Sequence, residues 1–332
     1  MDRVRWGIIG VGDVTERKSG PGFQQAERSA LVAVMRRDGE RARDYARRHG
    51  VPRAYDDADA LIADPEVDAV YIATPPDSHC DYAVRVAQAG KPVYVEKPMA
   101  RTGAECRQML EAASGAGVPV FVAYYRRTMP RFELARELIA TELGEVHAVA
   151  VKLEQTDRTS TPGPLPWRLD PRAAGGGLFV DLASHTLDWL DHVFGPISRV
   201  SGHAGHPLRG RGSAETSVAA SFTFANGVLG TGLWEFASSR RTDMIEVIGT
   251  AGTLRMPCFG EDPIQLIRGG ECTAIPAPYP AVVQLPLIQQ ITDVLTGHAS
   301  AASSTGATAL RTADVVDAVL ADYRAEHGIV FS

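Results

Sequence analysis

The chain has no apolar run near the roughly 20 residues that a membrane-spanning helix requires. It has no Cys-x-x-Cys pair: Cys80, Cys106, Cys258 and Cys272 are scattered. Such scatter argues against a disulfide framework or a thiolate zinc site and fits a reducing compartment. Basic excess is also missing. Lys+Arg number 34 against 40 Asp+Glu, a formal net charge of -6, which argues against a protein that grips nucleic-acid phosphates. There is no repeat period, and the Ala/Ser tract at 299–304 is short enough to be a loop. No Gly-x-Ser-x-Gly elbow marks a serine hydrolase. Met1-Asp2-Arg3-Val4 runs straight into a strand-like segment without signal-peptide architecture. Together these absences predict a cytoplasmic protein with neither a membrane nor a nucleic-acid partner.

What is present is a globular composition. The 332 residues are 45% hydrophobic and 22% charged, enough for about two domains. Segments 4–9, 31–35, 69–73, 92–95 and 119–123 are short, β-branched and nearly all apolar, as strands buried on both faces are. Helical patterns at 39–49, 58–63, 78–89 and 103–114 lie between them. Alternation of this kind predicts an α/β fold with a doubly wound parallel sheet. After about residue 124 the pattern changes. Helices are expected at 131–139, 179–194 and 308–326. Alternating runs at 146–154, 217–224, 228–236, 243–248, 252–256 and 264–267 read as one-face-solvated strands, with Asn226-Gly227 as a hairpin turn. A Pro/Gly loop is expected at 161–166. The expected domains are therefore 1–123, a Rossmann-type dinucleotide-binding domain, and 124–332, an α+β domain with an open, mainly antiparallel sheet for substrate binding and oligomerisation.

The first strand runs into Gly10-Val11-Gly12-Asp13-Val14-Thr15. Gly10 permits a tight turn and Gly12 lets the backbone approach a pyrophosphate. Amides at the start of the following helix, about Asp13 and Val14, would hold the phosphate oxygens. The third fingerprint position is Thr15 rather than Gly or Ala, and Lys18-Ser19-Gly20-Pro21-Gly22 interrupts the first helix. At the end of the second strand stand Arg36 and Arg37. A guanidinium there suits the 2′-phosphate of NADP, where an acidic residue would suit the ribose of NAD. The expected cofactor is NADP, with NAD as the alternative and Asp38 within reach of the ribose.

Further polar residues fall where strands end, the edge at which such sheets bind ligands. They are Thr74-Pro75 with His79, Glu96-Lys97-Pro98, and the Tyr124-Tyr125-Arg126-Arg127 segment. In the second half, Gly175-Gly176-Gly177 precedes an apolar helix carrying Asp181 and His185. Four residues apart, these share a helix face, an arrangement suited to general acid–base chemistry. Asp188 and His192 repeat that spacing, so spacing alone leaves the choice open. His203 and His206 have no adjacent carboxylate or thiol, read as a solvated loop, and predict no metal site.

In this order, Gly7–Gly12, Thr74-Pro75 with His79, Glu96-Lys97-Pro98, Arg126, Trp167-Arg168, and Gly176-Gly177 leading to Asp181 and His185 resemble the glucose–fructose oxidoreductase/inositol dehydrogenase/rhizopine catabolism (Gfo/Idh/MocA) family. The resemblance implies an NAD(P)-dependent oxidoreductase acting on a hydroxyl or carbonyl carbon of a sugar, polyol or related small compound. It implies that Lys97, Asp181 and His185 are catalytic. Lys97 would bond the reacting oxygen, His185 would exchange its proton, and Asp181 would hold substrate or orient the imidazole. Thr74, Pro75, His79, Glu96, Lys97 and Arg126 would lie on the cofactor side. Trp167 and Arg168 would join the catalytic three around the substrate, in a pocket whose selectivity comes from loops such as 155–167. A NAD-dependent glycosidase of the same family and a non-catalytic NADP sensor remain alternatives. The open sheet predicts a homodimer or homotetramer.

Overall fold

The computed structural model describes residues 1–156, 165–206 and 214–331. The chain forms two compact units: Met1–Met129 with Pro280–Leu310, and Pro130–Tyr279 with Arg311–Ser332. Sequence reading expects one cut near residue 123; residues 280–310 instead return to the first unit. The reason is apolar. In the returning segment Leu287, Ile288 and Ile291 are fully buried, and Ile288 lies so near Gly22 that a Cβ there would sit 2.6 Å from its Cδ1.

The first unit holds β1 (Val4–Ile9), β2 (Ser29–Met35), β3 (Arg53–Tyr55), β4 (Ala69–Ile72), β5 (Val93–Val95) and β6 (Val120–Val122). They form a six-stranded sheet in the order β3-β2-β1-β4-β5-β6. All neighbours are parallel. β4 and β5 are buried at every residue, as strands covered on both faces must be. The crossovers carry α1 (Asp13–Arg17), α2 (Gly20–Gln25), α3 (Gly39–His49), α4 (Ala58–Ala63), α5 (His79–Gln88) and α6 (Gly103–Ala116). Asp38 caps α3 by accepting from the Arg41 amide, and Gly50 ends it at φ 64°. The edge strand β3 escaped the sequence reading because three half-buried residues carry no periodic signal. Strand order reverses between β1 and β4, so the carboxyl ends of those strands flank the crevice where open α/β sheets bind ligands.

The second unit holds α7 (Pro130–Glu142), β7 (Val146–Thr156), α8 (Pro171–Ala174), α9 (Ser184–Phe194), β8 (Ile197–Gly205), β9 (Ser217–Phe224), β10 (Leu229–Ser238), β11 (Thr242–Gly249), β12 (Thr253–Met256), β13 (Ile264–Arg268) and β14 (Glu271–Ile275). The returning helix α10 (Leu285–Leu295) belongs to the first unit, and α11 (Gly306–Glu326) leads back into the second. The eight strands run β14-β13-β12-β11-β7-β10-β9-β8. Their pairing is antiparallel except between β7 and β10, so the expected open, mainly antiparallel sheet is present. One face is packed: Phe179 meets Trp234 at 5.0 Å and Phe194 meets Phe224 at 5.2 Å between ring centroids. His203 stands in β8 opposite Ala219, which corrects its reading as a loop residue; ladder pairing with β9 outweighs the glycines around it. The loops expected at 155–167 and 161–166 fall largely outside the described residues.

Candidate active site

In the first unit β1 is followed by Gly10, whose φ of 95° favours glycine. A Cβ there would also lie 2.6 Å from Thr74 Cγ2 and 2.9 Å from the Thr74 amide nitrogen. Gly10 therefore lets the turns after β1 and β4 touch. Gly12 is different. It is extended, and a Cβ built on it would meet nothing within 4 Å, so the backbone is open on that side. This opening fits the approach of a pyrophosphate.

Thr15 replaces the third glycine without loosening the turn. Its hydroxyl accepts from the Gly12 amide and donates to the Gly12 carbonyl, each at 2.9 Å, and the residue is fully buried. The close-packing role passes to Gly20, where a Cβ would stand 2.1 Å from the Thr15 carbonyl oxygen. The helix breaks after Arg17 and resumes at Gly20 with Pro21 in its first turn.

Arg36 donates from Nη1 to the carbonyl of Val11 at 3.1 Å. Its guanidinium therefore lies beside the glycine turn, while Arg37 and Asp38 are exposed. Asp13 is exposed and Val14 half-buried at the start of α1. The Asp38 carboxylate caps α3 and pairs with Arg41.

After β4, Thr74 Oγ1 accepts from the Ser78 hydroxyl at 2.7 Å. His79 is fully buried. Its Nε2 lies 2.8 Å from the Thr74 carbonyl, and its Nδ1 lies 3.1 Å from that of Pro98. The ring thus joins the turns that carry Thr74-Pro75 and Lys97-Pro98. Burial pushes its pKa down, against the opposing pull of the carbonyls and Glu96. A neutral imidazole donates from one nitrogen only.

Lys97 leaves the end of β5 half-buried, with a cis peptide to Pro98. Below it Glu96 points inward. Its Oε1 accepts from the Tyr71 hydroxyl at 2.5 Å and from Gln284 Nε2 at 2.7 Å, and its Oε2 accepts from the Lys97 amide at 3.0 Å. Gln284 Oε1 in turn accepts from the Tyr94 hydroxyl at 3.0 Å. Burial, followed by the Glu96 charge, raises the pKa of both tyrosines well above the usual phenol value, so they act as donors. The Glu96 carboxylate thus also holds the Lys97 backbone. Arg126 is buried, with its guanidinium 5.3 Å from the centre of the Tyr125 ring.

Trp167, Arg168, Asp181 and His185 belong to the second unit. Phe179–Ala183 is a π-helical turn and Ser184 begins α9. Sequence reading expects one helix over 179–194; its first five residues are π-helical instead, and π turns are often found at functional sites. Asp181 Oδ2 lies 3.5 Å from Arg168 Nε, and the Arg168 guanidinium stacks 4.3 Å from the centre of the Trp167 ring. Trp167, Arg168 and Asp181 therefore form one cluster. His185 is buried, and Phe259 approaches it edge-on at 6.2 Å. The loop bearing Phe259 is held firmly. Asp243 accepts from the amides of Cys258, Phe259 and Gly260 at 2.9, 2.6 and 2.8 Å. Arg131 donates to the carbonyls of Gly260 and Asp262.

Residues 4–124 match an oxidoreductase family with an NAD-binding Rossmann fold (GFO_IDH_MocA), and residues 132–255 match the C-terminal domain of that family. The chain belongs to the Gfo/Idh/MocA family. It is 36% identical over 301 residues to Oxidoreductase P35 of Formosa agariphila, covering 90% of this chain and 92% of that one. It is 30% identical over 253 residues to the 1,5-anhydro-D-fructose reductase of Ensifer adhaerens, covering 75% and 74%. Its fold matches the crystal structure of an oxidoreductase domain protein from Kribbella flavida with a TM-score of 0.85, at 27% identity over 98% of each chain. This family member is an oxidoreductase of the dehydrogenase type, acting on CH–OH groups.

Gly10, Gly12, Asp13, Val14, Arg36, Thr74, Pro75, Lys97 and Arg126 all follow carboxyl ends of strands in the parallel sheet. Sequence reading missed Gln284, Phe259 and Asp243. Only Gln284 left a trace, as an amide inside the apolar stretch 282–288. Among the described residues no group of three or more His, Cys, Asp or Glu side chains is placed to hold a metal ion. No helix among them is long and apolar enough to cross a membrane.

Proposed function

We propose that this oxidoreductase moves a hydride between NADP and the hydroxyl or carbonyl carbon of a sugar, polyol or related small carbonyl compound. The observation that carries the reading is the shared sheet edge of the Gly10–Gly12 turn, the Arg36 guanidinium bound to that turn, and Lys97. The nicotinamide cofactor supplies the hydride chemistry when bound. Gly12, Asp13 and Val14 would lie along its pyrophosphate, and Arg36 with Arg37 would meet its 2′-phosphate. Thr74, Pro75, His79 and Arg126 belong to the same side.

Lys97 bonds the reacting oxygen and stabilises negative charge there. His185 exchanges a proton with that oxygen as general acid–base. Asp181 holds the substrate, and its Arg168 neighbour and Trp167 form the substrate wall. The sugar class is supported by the name of the Ensifer adhaerens relative, a reductase of 1,5-anhydro-D-fructose. Scattered cysteines support a cytoplasmic setting.

The outer face of the second sheet supports a homo-oligomer. Leu229 and Ile248 lie opposite Ala148 from either side, and Leu229, Leu233 and Ile248 are 57%, 41% and 39% exposed. Such a row calls for cover by a second copy.

The test of the activity is a panel of sugars, polyols and small carbonyls, followed by NADPH and NADH absorbance in both directions. Turnover of a polyhydroxy substrate with NADP is expected. Tight NADPH binding without turnover across the panel would overturn the enzymatic reading in favour of a sensor.

A further inference from the structure

We propose that Glu215 is a positioning residue whose buried carboxyl group fixes the 176–180 backbone leading into Asp181 and His185. The inference rests on the roles given to those two residues above. Glu215 is 2% exposed, although a carboxyl group is costly to bury unless its oxygens are bonded.

Its partners are backbone amides. Oε1 accepts from the Gly177 amide at 2.7 Å, and the amides of Val180 and of Glu215 itself also face the carboxyl group. The line continues, because the Gly177 carbonyl accepts from the Asp181 amide at 3.3 Å. Glu215, Gly177 and Asp181 are thus joined by two successive hydrogen bonds.

The same contact explains the glycines. A Cβ on Gly176 would lie 3.2 and 3.3 Å from the two carboxyl oxygens, and 2.4 Å from Val180 Cγ2. A Cβ on Gly177 would lie 2.8 Å from the Glu215 carbonyl oxygen and 2.9 Å from Ala214 Cβ. Only glycine lets the chain pass this close. On the other side Arg324 Nη2 donates to the Gly175 carbonyl at 2.7 Å, and Arg324 Nη1 pairs with Asp317 at 2.6 Å. A cation therefore holds the first glycine of the triplet and a carboxyl group holds the third. Arg324 and Tyr323 of α11 are the charged and titratable groups that act on Glu215. Burial pushes its pKa up to about 7.

The test compares Glu215→Ala and Glu215→Gln with the wild type. Hydrogen exchange of the 175–183 segment is read by mass spectrometry, alongside steady-state kinetics and NADPH binding. Glu215→Ala is expected to lose at least tenfold protection in that segment and to lower kcat tenfold to a hundredfold. NADPH affinity should stay within twofold, since the nucleotide turn lies in the other unit. Glu215→Gln, which keeps an acceptor for Gly177, should recover most of both losses. If Glu215→Ala does not fold, Glu215→Asp takes its place; withdrawing the carboxyl group by one methylene should loosen this segment alone. Unchanged protection and unchanged kcat in the truncated variant would overturn the proposal, as would a loss of protection spread evenly over the second unit. Exchange needs no turnover. A wild type that is inactive on every substrate, but shows the expected exchange pattern in its variants, would sink the functional reading and leave the positioning role standing.

Discussion

Gln284 donates to the carboxylate of Glu96 at 2.7 Å, tying a residue late in the chain to the strand end that presents Lys97. Replacing Gln284 by Leu removes the donor to Glu96 and the acceptor for Tyr94 in a buried site. Leaving buried polar groups unsatisfied costs about 1–3 kcal/mol. The Gln284→Leu protein should unfold at lower denaturant by that amount. Its kcat should also fall, because the Lys97 backbone loses a braced partner. Equal stability in urea titrations would show that the network carries no weight.

Lys97 is assigned a charge-stabilising hydrogen bond in the transition state. Donors of that kind are worth about 10²–10³-fold in kcat. Lys97→Ala should lose that much while binding NADPH normally, as read by nucleotide fluorescence. Near-normal turnover would remove Lys97 from the reaction.

The proposed NADP preference rests on Arg36, beside the glycine turn. A charge-assisted hydrogen bond contributes about 1.5–3 kcal/mol. Arg36→Ala should therefore raise KM for NADP roughly tenfold to a hundredfold and leave KM for NAD little changed. A wild-type preference for NAD in kcat/KM would refute the assignment.

The buried Glu215 makes a signed prediction about pH. Its carboxyl group titrates at about 7 in the folded protein, against a reference of 4.5. Between those values the folded state holds one proton more than the unfolded chain, so this group's contribution to stability falls as pH rises. The total is roughly 3 kcal/mol at 1.36 kcal/mol per pH unit. The stability difference between wild type and Glu215→Gln should shift by that order from pH 4.5 to 7, the wild type losing ground. A difference independent of pH would show that the group is not buried as described.

The exposed row on the second sheet predicts association. Light scattering at micromolar concentration should give a dimer or tetramer, and Leu233→Arg should shift it toward monomer. A monomeric wild type would rule out this use of the face.

Much of this was legible in the sequence because the signals were local. Strand β1, the glycine turn and helix α3 were each written in a few consecutive residues, and the motifs after β4 and β5 fell at the edge that parallel topology requires. The misses were non-local. Gln284 acquires meaning only when α10 returns to the first unit. Asp243 matters through three amides 15 to 17 residues away. The π turn at Phe179–Ala183 has the same apolar pattern as an α-helix, and its extra residue per turn leaves no mark in composition. Thr15 looked like a defect in the fingerprint, but its paired bonds with Gly12 and the close approach of Gly20 restore the packing.

The return of residues 280–310 has a consequence for biosynthesis. A chain emerging from the ribosome exposes all six strands of the nucleotide sheet long before Gln284 and α10 exist to complete their surroundings. Until then Glu96 lacks one of its bonds, and the apolar contact near Gly22 stays open to water. The nucleotide-binding unit, whose sheet is laid down by residue 122, becomes whole only once residues 280–310 have followed, and a truncation that kept only the sheet would preserve that immature state.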